Sequence, residues 1–226
     1  MMSQVIVRSI VGVVLFVLVL FVPAGTIAWP EGWIFLALFI GCSLGTTIWL
    51  RAVDPDLLAA RMQSPLRGDQ RPRDRLIMAV LLLLFWGWFA VMALDARRFG
   101  WSHVPVWGKV LGALLVAGAF WGWITVLRAN RFAATNVRVQ HERGQTVIST
   151  GPYAFVRHPM YGYAILLIVG TALLLGSLWG LLLGVVLLVP LFGLRAVGEE
   201  AVLLEGLPGY RDYAAKVKYR MLPGIW

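Results

Sequence analysis

Charged residues are scarce in this sequence. Asp, Glu, Lys and Arg make up 14% of the 226 residues, whereas hydrophobic residues make up 60%. Soluble domains average about 25% charged and about 45–50% apolar residues. The composition therefore excludes a soluble domain and predicts an integral membrane protein. Cysteine is nearly absent as well, since Cys42 is the only one. A single cysteine excludes an internal disulfide and a cysteine-rich metal site.

Several familiar catalytic signatures are missing. The sequence has no HExxH pair for zinc, no Walker phosphate loop and no GxGxxG that follows a strand. His141 has no His or Cys partner at the spacing of a metal site. These absences leave zinc chemistry poorly supported. We therefore predict a protein without a metal.

The hydrophobic residues are concentrated in six segments. The first four are long enough to cross a hydrocarbon core of ~30 Å as helices that rise ~1.5 Å per residue. The last two are shorter and meet at a Gly-Ser turn. We predict an all-α integral membrane protein with about six membrane helices, the last two forming a short helical hairpin. The segments are Val5–Val22, Gly32–Leu50, Leu76–Leu94, Val106–Leu127, Tyr161–Leu175 and Leu178–Leu194.

The basic residues lie mainly on one side of this arrangement. With six crossings, 17 of the 20 Lys and Arg residues fall on the side that holds both termini. Loops rich in Lys and Arg stay in the cytoplasm, so we predict a multi-pass protein of a bacterial inner membrane with cytoplasmic N- and C-termini. The net charge of +9 is spread over loops that flank the helices. It therefore indicates orientation, and nucleic acid is not an expected partner.

Two features of the N-terminal half carry further expectations. The fourth segment contains Gly108, Gly112, Gly118 and Gly122, and glycines at GxxxG spacing favour close packing of membrane helices. A groove for a lipid chain is a weaker alternative. The loop over residues 51–75 contains Asp54 and Pro55, which predict a short capped amphipathic helix. This loop either sets orientation or covers the site.

The densest group of functional residue types is Gly151–Tyr163, which reads GPYAFVRHPMYGY. Each proline biases the preceding residue away from the α region, so Gly151 and His158 are predicted to be extended. Pro159 suits the first turn of a helix, whose N-terminus would favour an anion. The alternative is a basic anchor at the membrane interface, with its tyrosines in the aromatic belt.

Two adjacent carboxylates, Glu199 and Glu200, follow the last apolar segment. A charge in hydrocarbon is costly, so these side chains require an interior or aqueous position and partners. Arg195 precedes Glu199 by four residues and can pair with it on one helix face. Glu200 is rotated by ~100° from Glu199 and needs another explanation.

A polar tail follows these carboxylates. Leu207–Gly209 interrupts the helix, and Tyr210, Tyr213, Val217 and Met221 then recur at roughly helical spacing. Lys and Arg residues lie between them. The pattern predicts a C-terminal amphipathic helix at the membrane interface.

Three sequence blocks together resemble the isoprenylcysteine carboxyl methyltransferase family, within a wider group that includes phospholipid N-methyltransferases. The blocks are GPYAFVRHPMYGY, then EEAVLL, then GYRDYAAKVKYRMLPGIW, in that order. The resemblance covers about residues 131–226, and the preceding helices agree only in character. It favours a division into N-terminal membrane helices over residues 1–127, with a scaffold role and a possible lipid groove, and a catalytic region over residues 128–226.

The resemblance implies S-adenosylmethionine as the methyl donor and S-adenosylhomocysteine as a product. It implies a cytoplasmic cofactor site built from the C-terminal half. Its cofactor-binding residues would be Tyr153, Arg157, His158, Tyr161, Gly162, Glu199 and Glu200. Arg195 or Arg220 would orient the carboxylate of a lipid-like or prenylated small-molecule acceptor. Membrane lipids are the other expected partners.

Other activities remain open from the sequence. A phospholipid or amine N-methyltransferase would use the same residues, but its acceptor must lose a proton before it attacks. A reductase of the sterol-reductase kind that uses NADPH would need a basic group for the 2′-phosphate, and scattered arginines leave it possible. A lipid-binding protein without catalysis would leave the two glutamates unexplained.

Overall fold

The computed structural model describes residues 2–63, 72–135 and 138–226, with side chains from Ile10 onward. Within these ranges the regular structure is helical. The helices are α1 (Met2–Ala24), α2 (Pro30–Val53), α3 (Pro55–Arg61), α4 (Pro72–Ala93), α5 (Val106–Ala129), α6 (Pro159–Leu175), α7 (Leu178–Leu183), α8 (Val189–Gly206) and α9 (Tyr210–Lys216). Short π-helical turns extend α4 over Leu94–Phe99 and join α7 to α8 over Gly184–Leu188.

Four helical stretches in the described residues are long and apolar enough to cross a membrane: Pro30–Val53, Pro72–Phe99, Val106–Ala129 and Leu178–Gly206. The all-helical integral membrane architecture is confirmed. The final stretch extends well beyond the predicted end at Leu194. The helix continues through Arg195, Glu199 and Glu200 because these side chains find partners inside the protein, as the site geometry below shows.

The predicted helix in the loop after α2 is confirmed. The Asp54 side chain accepts a hydrogen bond from the Leu57 backbone N–H at 2.9 Å and caps α3. Leu57 and Leu58 are buried, so α3 lies against the protein with its apolar face inward. The rest of the predicted cover, residues 64–71, lies outside the described residues.

Aromatic side chains of α1, α2 and α4 form much of the core. Phe16 lies 5.2 Å from Phe89 between ring centroids, and Phe35 lies 5.3 Å from Phe89. These distances suit tilted and edge-to-face contacts between rings. Trp88 donates a hydrogen bond to the Gly180 carbonyl oxygen, which ties α4 to α7. The core thereby gives a firm wall to the cavity described below.

Glycines allow α5 and α6 to pack closely. A Cβ atom on Gly112 would lie against the Leu174 backbone nitrogen and 2.7 Å from the Gly170 carbonyl oxygen. At Gly122 it would overlap the Tyr163 ring. The predicted packing role is therefore confirmed at these two positions. The predicted boundary between residues 127 and 128 falls within α5, and the division into two domains stays a prediction.

A buried carboxylate fixes the turn between α6 and α7. Asp95 accepts hydrogen bonds from the hydroxyl groups of Ser177 and Ser102 and from the Trp179 backbone N–H. Ser177 in turn accepts from the Gly180 N–H at 2.7 Å, and Ser102 accepts from the Leu178 N–H at 3.1 Å. The first backbone donors of α7 are thus satisfied, as a helix start inside a membrane protein requires.

The C-terminal segment differs from the prediction. Helix α9 ends at Lys216, and the chain then runs beside the turn that precedes α6. Arg157 donates its backbone N–H to the Tyr219 oxygen at 3.0 Å, and His158 donates to the Arg220 oxygen at 2.7 Å. The expectation that Val217 and Met221 continue the amphipathic helix is wrong, because this pairing holds residues 217–221 outside any helix.

Candidate functional site

The backbone conformation of the turn over residues 151–159 sets the direction of its side chains. Pro159 is the first residue of α6, as predicted, and His158 lies outside the α region with φ −126° and ψ 62°. Gly151 has φ +59°, so the prediction of an extended Gly151 is wrong. Glycine takes this left-handed conformation at little cost. It opens the short helical turn Gly151–Ala154.

Arg157 holds the end of α9. Its Nη1 donates to the carbonyl oxygens of Ala214 at 3.3 Å, Val217 at 2.7 Å and Lys218 at 3.1 Å. Carbonyl groups at a helix C-terminus lack partners within the helix and carry partial negative charge. A guanidinium satisfies them with favourable electrostatics. Arg157 therefore joins α9 to the turn before α6.

Glu200 is the centre of a buried ion network. Its carboxylate accepts from Arg157 Nε at 2.6 Å and from Arg220 Nε at 2.9 Å, and it lies 3.2 Å from His158 Nε2. The Glu200 side chain is 9% exposed and the Arg157 side chain 7%. Charges buried this deeply persist only when they are paired. The network explains how the carboxylate remains within a membrane helix.

Glu199 faces a different environment. Its Oε2 accepts from the Tyr161 hydroxyl at 2.9 Å and lies 3.6 Å from His158 Nδ1. Among the described residues, Glu199 Oε1 has no hydrogen-bond partner, and the side chain is 32% exposed. One carboxylate oxygen is therefore fixed by protein groups while the other is available to a ligand.

His158 lies between the two glutamates. Burial lowers the pKa of the imidazole, but its contacts with Glu199 and Glu200 outweigh this effect and raise the pKa above its ordinary value. Two carboxylates facing the two ring nitrogens favour the doubly protonated ring. His158 therefore bridges Glu199 and Glu200, and both contacts favour its protonated form.

Tyrosines form another side of the site. Tyr153 accepts a hydrogen bond from Asn130 Nδ2 at 2.9 Å, and the Tyr213 hydroxyl donates to the Tyr153 carbonyl oxygen at 2.9 Å. Burial raises the pKa of Tyr153 above its ordinary value and that of Tyr213 to about 12. Both phenols stay neutral at physiological pH, so they offer hydrogen bonds and not charge.

Arg195 does not pair with Glu199, although both lie on one face of α8. Its Nη2 donates to the Thr135 carbonyl oxygen at 2.6 Å, and its Nε lies 3.8 Å from Asp74 Oδ1. Asp74 belongs to α4, so this contact crosses between helices. The Oε2 atom of Glu199 is contacted instead by Tyr161 and His158.

Several of these groups border one cavity of about 480 Å³. One end of the cavity is polar, and its other arm lies between membrane helices. The polar end is lined by Arg61, Asn130, Thr135, Arg138, Gln140, Gln145, Thr146, Tyr153, Arg157, His158, Tyr161, Arg195, Glu199, Tyr210 and Tyr213. The apolar arm is lined by Phe39, Leu81, Leu82, Phe85, Trp88, Phe89, Ala164, Leu167, Ile168, Leu188 and Phe192.

The structure divides the predicted site residues into two sets. Tyr153, Arg157, His158, Tyr161, Arg195 and Glu199 line the cavity. The other three, Gly162, Glu200 and Arg220, are not part of its lining. A Cβ atom on Gly162 would lie 2.7 Å from the Met221 carbonyl oxygen, so this glycine admits the C-terminal segment. Their predicted roles with cofactor or acceptor stay predictions.

Some residues in or beside the cavity lining were not singled out from the sequence. Asn130 orients Tyr153, Asp74 faces Arg195, and Arg61 reaches the cavity from α3. The Asp54-Pro55 signal located α3, but a helix of seven residues has no periodicity long enough to show which side chain turns inward. Asn130 and Asp74 gave no pattern at all.

One short motif in the sequence has no catalytic context. Residues 41–45 read GCSLG and match the GxSxG pattern of serine hydrolases. That pattern works at a sharp turn from a strand into a helix, whereas these residues lie in the middle of α2. Among the described residues, no group of three or more His, Cys, Asp or Glu side chains is arranged to hold a metal. The absence of a metal stays a prediction.

The comparisons with known proteins agree with the sequence blocks. Curated proteins provide no match to the chain. The family model for phospholipid methyltransferases matches residues 107–207, a region that contains the cavity-lining residues of α6 and α8 and the turn before α6. The matched family is a membrane methyltransferase family. This match confirms the predicted resemblance: over residues 107–207 the chain is similar to a membrane methyltransferase family.

Proposed function

We propose that the protein transfers a methyl group from S-adenosylmethionine to the carboxylate of an isoprenoid or other lipid-like acceptor within the membrane. The observation that carries this proposal is one cavity with a polar end and an apolar arm between membrane helices. Ligand sites commonly measure about 300–1,000 Å³. A polar donor and the reactive end of a lipid can therefore meet at the junction of its two parts.

The donor set of the polar end fits S-adenosylmethionine. Glu199 Oε1 has no partner among the described residues and can accept from an ammonium or a ribose hydroxyl. Tyr153, Gln145 and Thr146 also line the cavity and offer neutral hydrogen bonds. When bound, the cofactor would supply an electrophilic methyl group carried on a positively charged sulfur.

The chain's own residues would act by orienting the reactants and by surrounding them with fixed polar groups. Tyr161 and His158 hold Glu199 in one orientation, and Glu200 holds His158 and Arg157 in turn. A carboxylate acceptor is already a nucleophile and needs no general base. Arg195 lines the cavity and can orient such a carboxylate. Alignment of the reactants and exclusion of water by the helix walls would then account for most of the rate.

The first experiment is calorimetric titration of the folded, detergent-solubilised protein with S-adenosylhomocysteine, beside a titration with NADPH. We expect micromolar binding of S-adenosylhomocysteine and no binding of NADPH. Binding of NADPH alone would contradict the proposal and indicate a reductase. Binding of neither ligand by folded protein would contradict it as well and favour a lipid-binding role.

An N-methyltransferase is the second candidate, because the matched family is named for phospholipid substrates. An amine acceptor would have to lose a proton before attack. Among the described residues, Glu199 Oε1 is the carboxylate oxygen of the cavity that has no partner, and it could receive that proton. The two candidates therefore assign different duties to the same carboxylate.

The chemistry of the product separates the two candidates. The enzyme would be incubated with methyl-labelled cofactor and, in parallel, with a prenylated thioether carboxylic acid, a fatty acid and phosphatidylethanolamine. A methyl ester releases its label as methanol in mild alkali, whereas an N-methyl group keeps it. We expect alkali-labile label on a carboxylic acid. Alkali-stable label on phosphatidylethanolamine alone would establish the second candidate.

A further inference from the structure

Among the described residues, Arg61 is the cavity-lining cation that is not paired with a carboxylate. It is the last residue of α3, and its guanidinium lies at the polar end of the cavity. Its Nη1 donates to the Ala133 carbonyl oxygen at 2.8 Å and lies 3.7 Å from the Met160 sulfur. Both partners are uncharged, and no carboxylate pairs with Arg61 among the described residues. Burial lowers the pKa of Arg61, as expected for a cation that lacks a counter-charge.

The neighbouring cations differ from Arg61 in this respect. Arg157 pairs with Glu200, Arg138 pairs with Glu142, and His158 contacts both Glu199 and Glu200. Arg195 lies 3.8 Å from a carboxylate oxygen of Asp74. A partly buried guanidinium with neutral partners is costly unless an anion joins it. Arg61 is therefore the position in the described part of the cavity where a positive charge lacks a negative partner.

The position of Arg61 also restricts the kind of anion. Met160, which touches Arg61, lies two residues after His158 at the start of α6, and its carbonyl oxygen accepts from Trp123 Nε1 at 3.0 Å. Arg61 is thus held where the polar end gives way to apolar walls. An amphiphile with its chain in the apolar arm would place its headgroup at this depth.

We propose that Arg61 binds the anionic headgroup of the acceptor lipid, a phosphate or a carboxylate, and so selects anionic over cationic lipids. The inference rests on the proposed function, because it assigns the acceptor end of the same cavity. It extends the site to α3, which lies outside the matched residues 107–207. A planar guanidinium with unused N–H groups suits two-point binding to either kind of oxyanion.

The test uses three amphiphiles with the same chain, namely dodecyl phosphate, dodecanoate and dodecylammonium. Each is titrated into folded wild-type protein and into the Arg61→Gln, Arg61→Lys and Arg128→Gln variants. The titrations are run in a neutral detergent, with and without saturating S-adenosylhomocysteine. Arg128 is the matched control because it is exposed, stacks over Trp49 and is absent from the cavity lining. Thermal unfolding of each variant verifies that it is folded.

Wild-type protein is expected to bind at least one anionic amphiphile. Arg61→Gln should weaken that binding by about tenfold or more, the usual effect of losing a charged hydrogen bond. Arg61→Lys should retain most of it, and Arg128→Gln should match the wild type. The response to dodecyl phosphate compared with dodecanoate identifies the headgroup. Affinity for S-adenosylhomocysteine should not change in Arg61→Gln.

Several results would overturn the inference. If Arg61→Gln lost the same affinity for all three amphiphiles, Arg61 would contribute only to packing of the cavity wall. A loss of S-adenosylhomocysteine affinity with unchanged amphiphile binding would assign Arg61 to the cofactor carboxylate. Failure of the wild type to bind either anion would also reject it. Amphiphile binding is also measured without S-adenosylhomocysteine. The role of Arg61 is therefore tested even if the protein does not bind the methyl donor.

Discussion

At the residue scale, the adjacent residues Glu199 and Glu200 have different surroundings and different expected roles. Within the part of the chain that the structure describes, one carboxylate oxygen of Glu199 has no protein partner at the cavity, while Glu200 contacts Arg157, Arg220 and His158. Neighbouring residues on a helix point ~100° apart, so a consecutive pair must face two environments. The geometry favours a ligand contact for Glu199 and a positioning role for Glu200.

Removing the charge of Glu199 should weaken ligand binding, whereas removing the charge of Glu200 should lower stability. Glu199→Gln should weaken S-adenosylhomocysteine binding by about tenfold or more, because it replaces a charged hydrogen bond by a neutral one. Glu200→Gln should lower the Tm and cost about 3–5 kcal/mol, because it leaves buried cations without compensation. Calorimetry and thermal unfolding measure the two effects. Glu205→Gln, near the exposed end of the same helix, is the control. Equal loss of affinity without loss of stability in both variants would contradict this assignment.

The raised pKa of His158 predicts a pH dependence of stability. A group whose pKa is higher in the folded state stabilises the fold fully below its unfolded pKa, here the ordinary 6.5, and this contribution is lost as pH rises through the folded value. We therefore expect the Tm to fall as pH increases above 6.5, and the fall to be smaller in His158→Gln. Thermal unfolding across pH measures this. His141→Gln, at an exposed position, should keep the wild-type profile. Identical slopes in His158→Gln and the wild type would refute the protonated link.

At the element scale, helix contact and helix capping decide how the site is held. Arg157 satisfies the C-terminal carbonyls of α9, and Asp95 with two serines satisfies the first donors of α7. Both devices join elements that are distant in sequence. The site is therefore supported from its polar end by α9 and from the opposite end of the hairpin by the Asp95 group.

The contact between α5 and α6 gives a prediction at this scale. Gly112→Ala should destabilise the protein by about 1–3 kcal/mol, because the new methyl group meets the backbone of α6. Gly118→Ala is a matched control on the same helix, since its methyl group would lie 3.7 Å from the Leu166 side chain in ordinary contact. The two substitutions gain the same helix propensity, so the difference in Tm isolates packing. Equal Tm values would show that α5 and α6 separate readily.

At the scale of the whole molecule, the distribution of charge predicts orientation. In a Cys42→Ser background, a cysteine at position 103 should react with an impermeant maleimide added outside intact spheroplasts. A cysteine at position 141 should react only after permeabilisation, because loops rich in Lys and Arg are retained in the cytoplasm. Labelling of position 141 in intact spheroplasts would reverse the predicted topology. The single native cysteine makes this measurement direct.

The sequence by itself determined the membrane class, the helical segments, the start of α6 at Pro159 and the cap of α3 at Asp54. These follow from local rules: hydrophobic length, the fixed φ of proline and the reach of a capping carboxylate. The three sequence blocks also carried the resemblance to membrane methyltransferases, because each block is a continuous run of residues.

Only the tertiary structure decided which partner each ionisable residue contacts. Local spacing paired Arg195 with Glu199, but Asp74 and Thr135 from other elements take Arg195 instead. Local spacing also carried a helix through Met221, whereas pairing with residues 157 and 158 ends it at Lys216. A buried charge takes the partner that the packed helices bring nearest, and that choice depends on contacts between distant parts of the chain. For the same reason, no local pattern could show that Arg61 reaches the cavity.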